Sequence, residues 1–128
     1  MNYEEVKHYA LAKPETSLDF PFQRDIPLFK VYTKMFALVS WHNEVAWLNL
    51  KCDPDQALAL RDIFESVIPA YHMNKTHWNT VILDGSVPRG EIERMIDHSY
   101  AMVVRGMTRK MRTNLEIRYG EPAIYCGQ

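Results

Sequence analysis

The spacing of apolar residues along this chain changes period several times, and each change predicts an element. Tyr3, Val6 and Ala10 recur at helical spacing behind Asn2, with Glu5 three places on as a capping-box partner, so a helix is predicted over residues 3–12, ended by Pro14. Residues 15–27 hold Pro21 and Pro27 and no sustained period; they read as a loop that Phe20 and Phe22 anchor to the core. From Leu28 to Cys52 the pattern alternates, which predicts strands at 28–34, 35–41 and 45–52 joined by tight turns, the second around His42-Asn43-Glu44. Alternation sends Phe29, Val31, Leu48, Leu50 and Cys52 to one face, and Lys30, Tyr32, Lys34, Trp47, Asn49 and Lys51 to the other.

Asp53 followed by Pro54 reads as a helix cap with proline in the first turn, and Ala57, Leu60, Phe64 and Val67 supply a buried stripe as far as Pro69. Residues 70–72 and 77–83 then flank Met73-Asn74-Lys75-Thr76 as a hairpin, with Val81 and Leu83 facing the core and Trp78, Thr80 and Ile82 opposite. After Asp84-Gly85-Ser86, Pro88 opens a third helix whose stripe of Ile92, Met95, Ile96, Ser99 and Val103 ends near Gly106. Beyond Thr108 the signals mix: Met107, Met111 and Leu115 fit a helix, whereas Leu115 to Tyr119 alternate as in a strand.

The chain's 128 residues suffice for one self-supporting core. No apolar run reaches the ~20 residues of a membrane span, and the acidic start lacks the pattern of an export signal, so a cytoplasmic location without membrane contact is expected. Cys52 and Cys126 form no CxxC pair and read as reduced thiols. Cys52 precedes a helix N-terminus, which would favour a reactive thiolate, but its place in an alternating strand fits a small core residue better. The net charge of −1 disfavours tight, sequence-blind binding to nucleic acid. The average conceals a basic tail, since residues 105–128 hold five basic and two acidic side chains.

The chemistry concentrates in residues 71–88. His72 and His77 lie five apart across the predicted hairpin, with Asp84 as a nearby carboxylate, but two histidines fall short of a metal set and no third ligand has diagnostic spacing. No metal, cofactor or catalytic residue is assigned, and no enzymatic activity is expected. Asn74 suits a turn that bonds its own chain. Lys75, at the hairpin tip, is placed to reach a phosphate or an acidic partner, and Trp78 can stack on a base or plug the core. Asp97, His98, Ser99 and Tyr100 resemble a triad in letters alone, because consecutive helix residues diverge.

The runs LFKVYTKMFALVSW, VAWLNLKCDPDQA, YHMNKTHWNTVILDGSVP and GEIERMIDHSYAMVV, over residues 5–112, resemble the MmcQ/YjbR family of small bacterial proteins. The resemblance implies a two-layer α+β domain in which helices pack on one face of a five-stranded antiparallel sheet, similar to type III secretion chaperones. That agrees with the order α-β-β-β-α-β-β-α read from the pattern. It bounds the domain at residues 1–112 and leaves 113–128 as a C-terminal extension. Family members are commonly labelled DNA-binding, with a "double wing" motif.

The resulting expectation is DNA binding through a wing formed by His72, Asn74, Lys75, His77 and Trp78. Lys30, Lys34, Lys51 and Trp47 would assist from the sheet's non-helical face, together with Arg109, Lys110 and Arg112. The alternative is a protein-interaction or chaperone-like adaptor domain without enzymatic activity, using an exposed sheet edge or face and adaptable methionines. A third reading is a small-ligand pocket between the loop carrying Phe20 and Phe22 and the His72–Asp84 strand.

Overall fold

Asn2 caps the first helix, α1 (Tyr3–Leu11), as its spacing requires: its side chain accepts from the Glu5 amide at 2.9 Å while the Glu5 carboxylate accepts from the Asn2 amide at 3.0 Å. The computed structural model describes residues 1–70 and 73–128. The segment expected to be a loop contains a strand, β1 (Thr16–Asp19), paired antiparallel with β2 (Leu28–Val31) from Thr16–Val31 to Asp19–Leu28. Among the described residues the sheet therefore has six strands, not five. β1 escapes a periodicity reading because it is a half-exposed four-residue edge strand with one apolar side chain, Leu18, between Pro14 and Pro21.

β2, β3 (Lys34–His42) and β4 (Val45–Lys51) form the expected meander. Asn43 and Glu44 both take positive φ, the backbone demanded by a two-residue hairpin whose twist matches its strands. The β2–β3 turn is equally short, with Tyr32 at φ 54°, and it corrects one facial assignment. Lys34 pairs with Val31 and shares that residue's face, while Lys30 pairs with Met35 on the other. Counting alternate residues straight through a turn loses the face, because cross-strand partners set it.

α2 (Pro54–Ile63) starts where predicted, with the Asp53 side chain accepting from the Gln56 amide at 3.2 Å. It stops earlier than its stripe suggested: Phe64 is extended, and Val67 belongs to β5 (Val67–Pro69) rather than to the helix. Proline cannot donate to a helix or to a central ladder, and Pro69 ends up on an edge strand. β5 pairs with β6 (Trp78–Ile82), so the predicted hairpin exists with its first strand three residues earlier in the chain. Part of the expected 70–72 strand lies outside the described residues.

The sheet order is β1-β2-β3-β4-β6-β5, antiparallel throughout. Phe29, Ala37, Leu50 and Asn79 form one row across its inner face, and Val39, Leu48, Val81 and Val67 form another. α3 (Arg89–Arg105) lies over β2, β3 and β4, while α2 packs on β5 and β6. Ser99 pins α3 in place, donating to the Phe36 carbonyl at 2.6 Å and accepting from the Lys51 amide at 2.9 Å, and Tyr100 meets Phe36 edge-on at 5.3 Å. Each large side chain so buried is worth about 1.5–3 kcal/mol.

The tail resolves as α4 (Arg109–Tyr119) and α5 (Glu121–Ile124), with Leu115 and Ile124 fully buried in the common core. Gly120, at φ 84°, lets the chain turn between them.

The outer face carries the row Leu28, Leu38, Asn49, Thr80 and Ile68. Asn49 occupies the expected face but is buried there. Thr80 Oγ1 donates to its Oδ1 at 2.6 Å, and its Nδ2 donates to the Leu38 carbonyl at 3.1 Å. Among the described residues no helix is long and apolar enough to cross a membrane.

Candidate functional site

At the hairpin tip, side chains expected to face a partner are bonded inward. Asn74 Oδ1 accepts from the amides of Thr76 at 2.9 Å and His77 at 3.3 Å, which shapes the turn. Lys75 Nζ donates to the Ala70 carbonyl at 2.7 Å. Arg61 of α2 braces the same connection: its Nε donates to Asn79 Oδ1 at 2.7 Å, and its terminal nitrogen donates to the carbonyls of Lys75 and Trp78. His77 is exposed, and its carbonyl accepts from the Cys52 amide at 2.8 Å. His72 lies outside the described residues.

The remaining members of the predicted set gather at one end of the sheet. Lys51 and Trp78 are direct cross-strand partners on the outer face, and Lys30 sits with Met35 on that face where β2 meets β3. Lys34 is exposed beside them at the hairpin. Lys30 reaches Asp19 at 3.2 Å, an exposed pair that solvent screens. Lys34 and Lys51 join no ion pair among the described residues. Trp47 stands four residues back along β4, about 13 Å at the rise of a strand, stacked on His42 at 3.9 Å between ring centres.

The other polar clusters hold the fold. Ser66 and Ser86 both donate to the Asp84 carboxylate at 2.6 Å; with the Ser86 amide they hold its pKa below the usual carboxylate range. Asp97, His98, Ser99 and Tyr100 diverge as helix geometry dictates. Asp97 meets Lys13 and Tyr9, His98 accepts from the Asp53 amide, Ser99 bonds Phe36, and the Tyr100 hydroxyl donates to the Pro14 carbonyl.

One feature was missed by the sequence reading. A cavity of about 620 Å³ opens between α2 and α3, lined by Gln56, Leu60, Arg94, His98, Met102 and Arg105 among others, and not beside the Phe20–Phe22 loop. Its signal was present as the spacing of Arg94, His98, Met102 and Arg105, which places them on one face of α3. Cys52 also lines it; burial, followed by the nearby Asp53 carboxylate, pushes its thiol pKa up to about 11.

These elements define a small mixed α/β domain built on a six-stranded antiparallel sheet. The chain matches the YjbR family model over residues 11–102 and belongs to that family. It is 34% identical over 108 residues to the uncharacterized protein YbdF of Escherichia coli O157:H7, covering 84% of this chain and 88% of that protein. It is 33% identical over 112 residues to the uncharacterized protein YjbR of Escherichia coli K12, covering 88% and 95%. Among solved structures, the Deinococcus radiodurans protein DR2400 superposes with a TM-score of 0.82 at 33% identity, covering 89% of this chain and 87% of that one. A Pseudomonas syringae protein gives 0.72 at 31% identity, covering 80% and 99%.

Proposed function

We propose that this chain is a cytoplasmic nucleic-acid-binding domain without enzymatic activity, and that its contact surface is the Lys30–Lys51–Trp78 end of the outer sheet face rather than the tip of the β5–β6 connection. One observation carries this reading: the register brings Lys51 beside Trp78, with Lys30 at the same end of that face. Lysines there neutralise phosphates, and an indole beside them gives a base a surface to stack on. The net charge of −1 limits the electrostatic contribution, so binding is salt-sensitive and moderate, and DNA is the partner to try first.

The test is fluorescence anisotropy of labelled single- and double-stranded DNA across a salt series. Affinity that falls with salt in the intact chain, and weakens in Trp78→Ala, supports the reading. No binding even at low salt sinks it. The rival protein-interaction reading has a thinner basis, because the most exposed apolar side chains stand on different elements: Phe22 on the loop before β2, Leu58 and Ile63 on α2, and Ile117 on α4. Sedimentation at several concentrations checks it, with a strictly monomeric chain counting against self-association.

A further inference from the structure

The face that α3 turns to the cavity runs about 16 Å from Arg94 to Arg105, at 1.5 Å per residue. The volume of about 620 Å³ falls within the ~300–1,000 Å³ typical of small-molecule sites. Its walls differ in kind. Leu60, Val81, Met95 and Met102 offer apolar surface, while Arg94 and Arg105 bring positive charge to the same space. Arg94 is already paired with Glu91. Arg105 has no carboxylate partner among the described residues, and its guanidinium lies 4.9 Å from the centre of the Tyr125 ring. Stacked in that way, a guanidinium keeps its in-plane N–H donors for other acceptors.

Past Arg105 the cavity adjoins a shallower groove that Arg109 and Arg112 also line, facing Glu116 and Glu121. The Glu116 carboxylate accepts from the Tyr125 hydroxyl at 2.6 Å. Arg109 and Arg112 join no ion pair among the described residues, and they line that groove with Arg105 beside the two glutamates.

Two further polar side chains of the cavity, Asp53 and His98, are already bonded. Asp53 caps α2 through the Gln56 amide. His98 Nε2 accepts from the Asp53 amide at 3.1 Å, which leaves the proton on Nδ1, bonded to Gln128 Oε1 at 2.7 Å.

We infer that this cavity binds a small amphiphilic organic anion, its apolar body against Leu60, Val81, Met95 and Met102 and its carboxylate or phosphate head at Arg105. The site lies on the helical side of the sheet, between α2 and α3, and Lys51 is common to its lining and to the surface assigned to nucleic acid.

The experiment titrates the full chain with anilinonaphthalene sulfonate, an aromatic body carrying one anionic group, and follows its fluorescence. Octanoate, octyl phosphate, octanol and inorganic phosphate serve as competitors. The expected result is one saturable site, displaced by octanoate or octyl phosphate and not by octanol or inorganic phosphate at the same concentrations. The better of the two displacers identifies the head group. Arg105→Gln weakens binding about tenfold or more, as the loss of a charge-assisted contact does. Arg118→Gln, on α4 where the side chain faces Glu15 rather than the cavity, leaves it unchanged. Met102→Trp fills the cavity and abolishes binding; if thermal melting shows that variant unfolded, Leu60→Trp fills it from the opposite wall. No saturable binding, equal displacement by octanol or by inorganic phosphate, or unchanged affinity in both Arg105→Gln and the filled variant would overturn the inference.

Discussion

A lysine whose ammonium group already donates to a backbone carbonyl has less to offer a phosphate than one without such a bond, and Lys75 and Lys51 differ in this way. Lys51→Ala should reduce the salt slope of DNA binding by about one unit. Lys75→Ala should leave that slope unchanged and lower stability by about 1 kcal/mol, read from urea unfolding. The opposite pattern would return the contact surface to the hairpin tip. The two cysteines make a second residue-scale contrast. Both are free thiols, but Cys52 is buried, with its pKa pushed up to about 11, while Cys126 is exposed. At pH 8 a disulfide reagent should modify one thiol quickly, and Cys126→Ser should remove that fast phase. Two fast thiols in the folded chain would mean that the β4–α2 junction opens readily.

At the scale of elements, Arg61 and Asn79 join α2 to the β5–β6 pair, since Asn79 Nδ2 also donates to the Ala57 carbonyl at 3.3 Å. Arg61→Ala should cost about 1–3 kcal/mol and speed amide exchange in residues 73–78 ahead of the remaining sheet. Uniform acceleration would show that the brace is not local. The tail obeys a different logic. Leu115 and Ile124 are fully buried, and deleting such a side chain costs about 2–5 kcal/mol. Removing residues 113–128 should therefore unfold the domain, which circular dichroism would detect; a stable fragment would support the expectation that these residues are an extension. How far such elements could be read from the chain depended on length and company. α3 was legible because seventeen residues repeat at helical period behind a proline. β1 was not, because four residues give too little alternation to count, and β5 was hidden because Val67 continues the period of α2. Of the candidate interface, the residue types could be read but not every duty: Asn74 was legible as a turn residue bonding its own chain, whereas Lys75 looked outward until its bond to the Ala70 carbonyl was known. The cavity needed α2, α3 and the tail together, a contact between segments distant in sequence that no local period encodes.

Over the whole molecule, the titrating groups point to an alkaline limit sharper than the acid one. Burial, more than any other cause, raises the pKa values of Tyr9 and Tyr100, with the Asp97 carboxylate adding to the effect at Tyr9, and it carries Tyr125 up to about 12. A tyrosine raised in the folded state keeps a proton that the unfolded chain releases. Its contribution to stability is complete below the ordinary value of about 10 and is lost as pH rises through the folded value. On the acid side, Asp84, Asp19 and Glu5 are lowered through hydrogen bonds near the surface; their smaller, solvent-screened contribution is present above about pH 4 and fades as pH falls through their folded values. Titration at 295 nm, with far-ultraviolet dichroism recorded in parallel, separates the cases. Part of the seven-tyrosine signal should rise gradually, and the remainder should appear together with loss of secondary structure above about pH 10. Tyr9→Phe should make the alkaline limb shallower by up to about one proton, even though losing its bond to Asp97 lowers stability at neutral pH. If every tyrosine titrates near its ordinary value while the dichroism stays intact, then α1 does not seal against α3, and the burial of Tyr9 and Tyr100 described above is wrong.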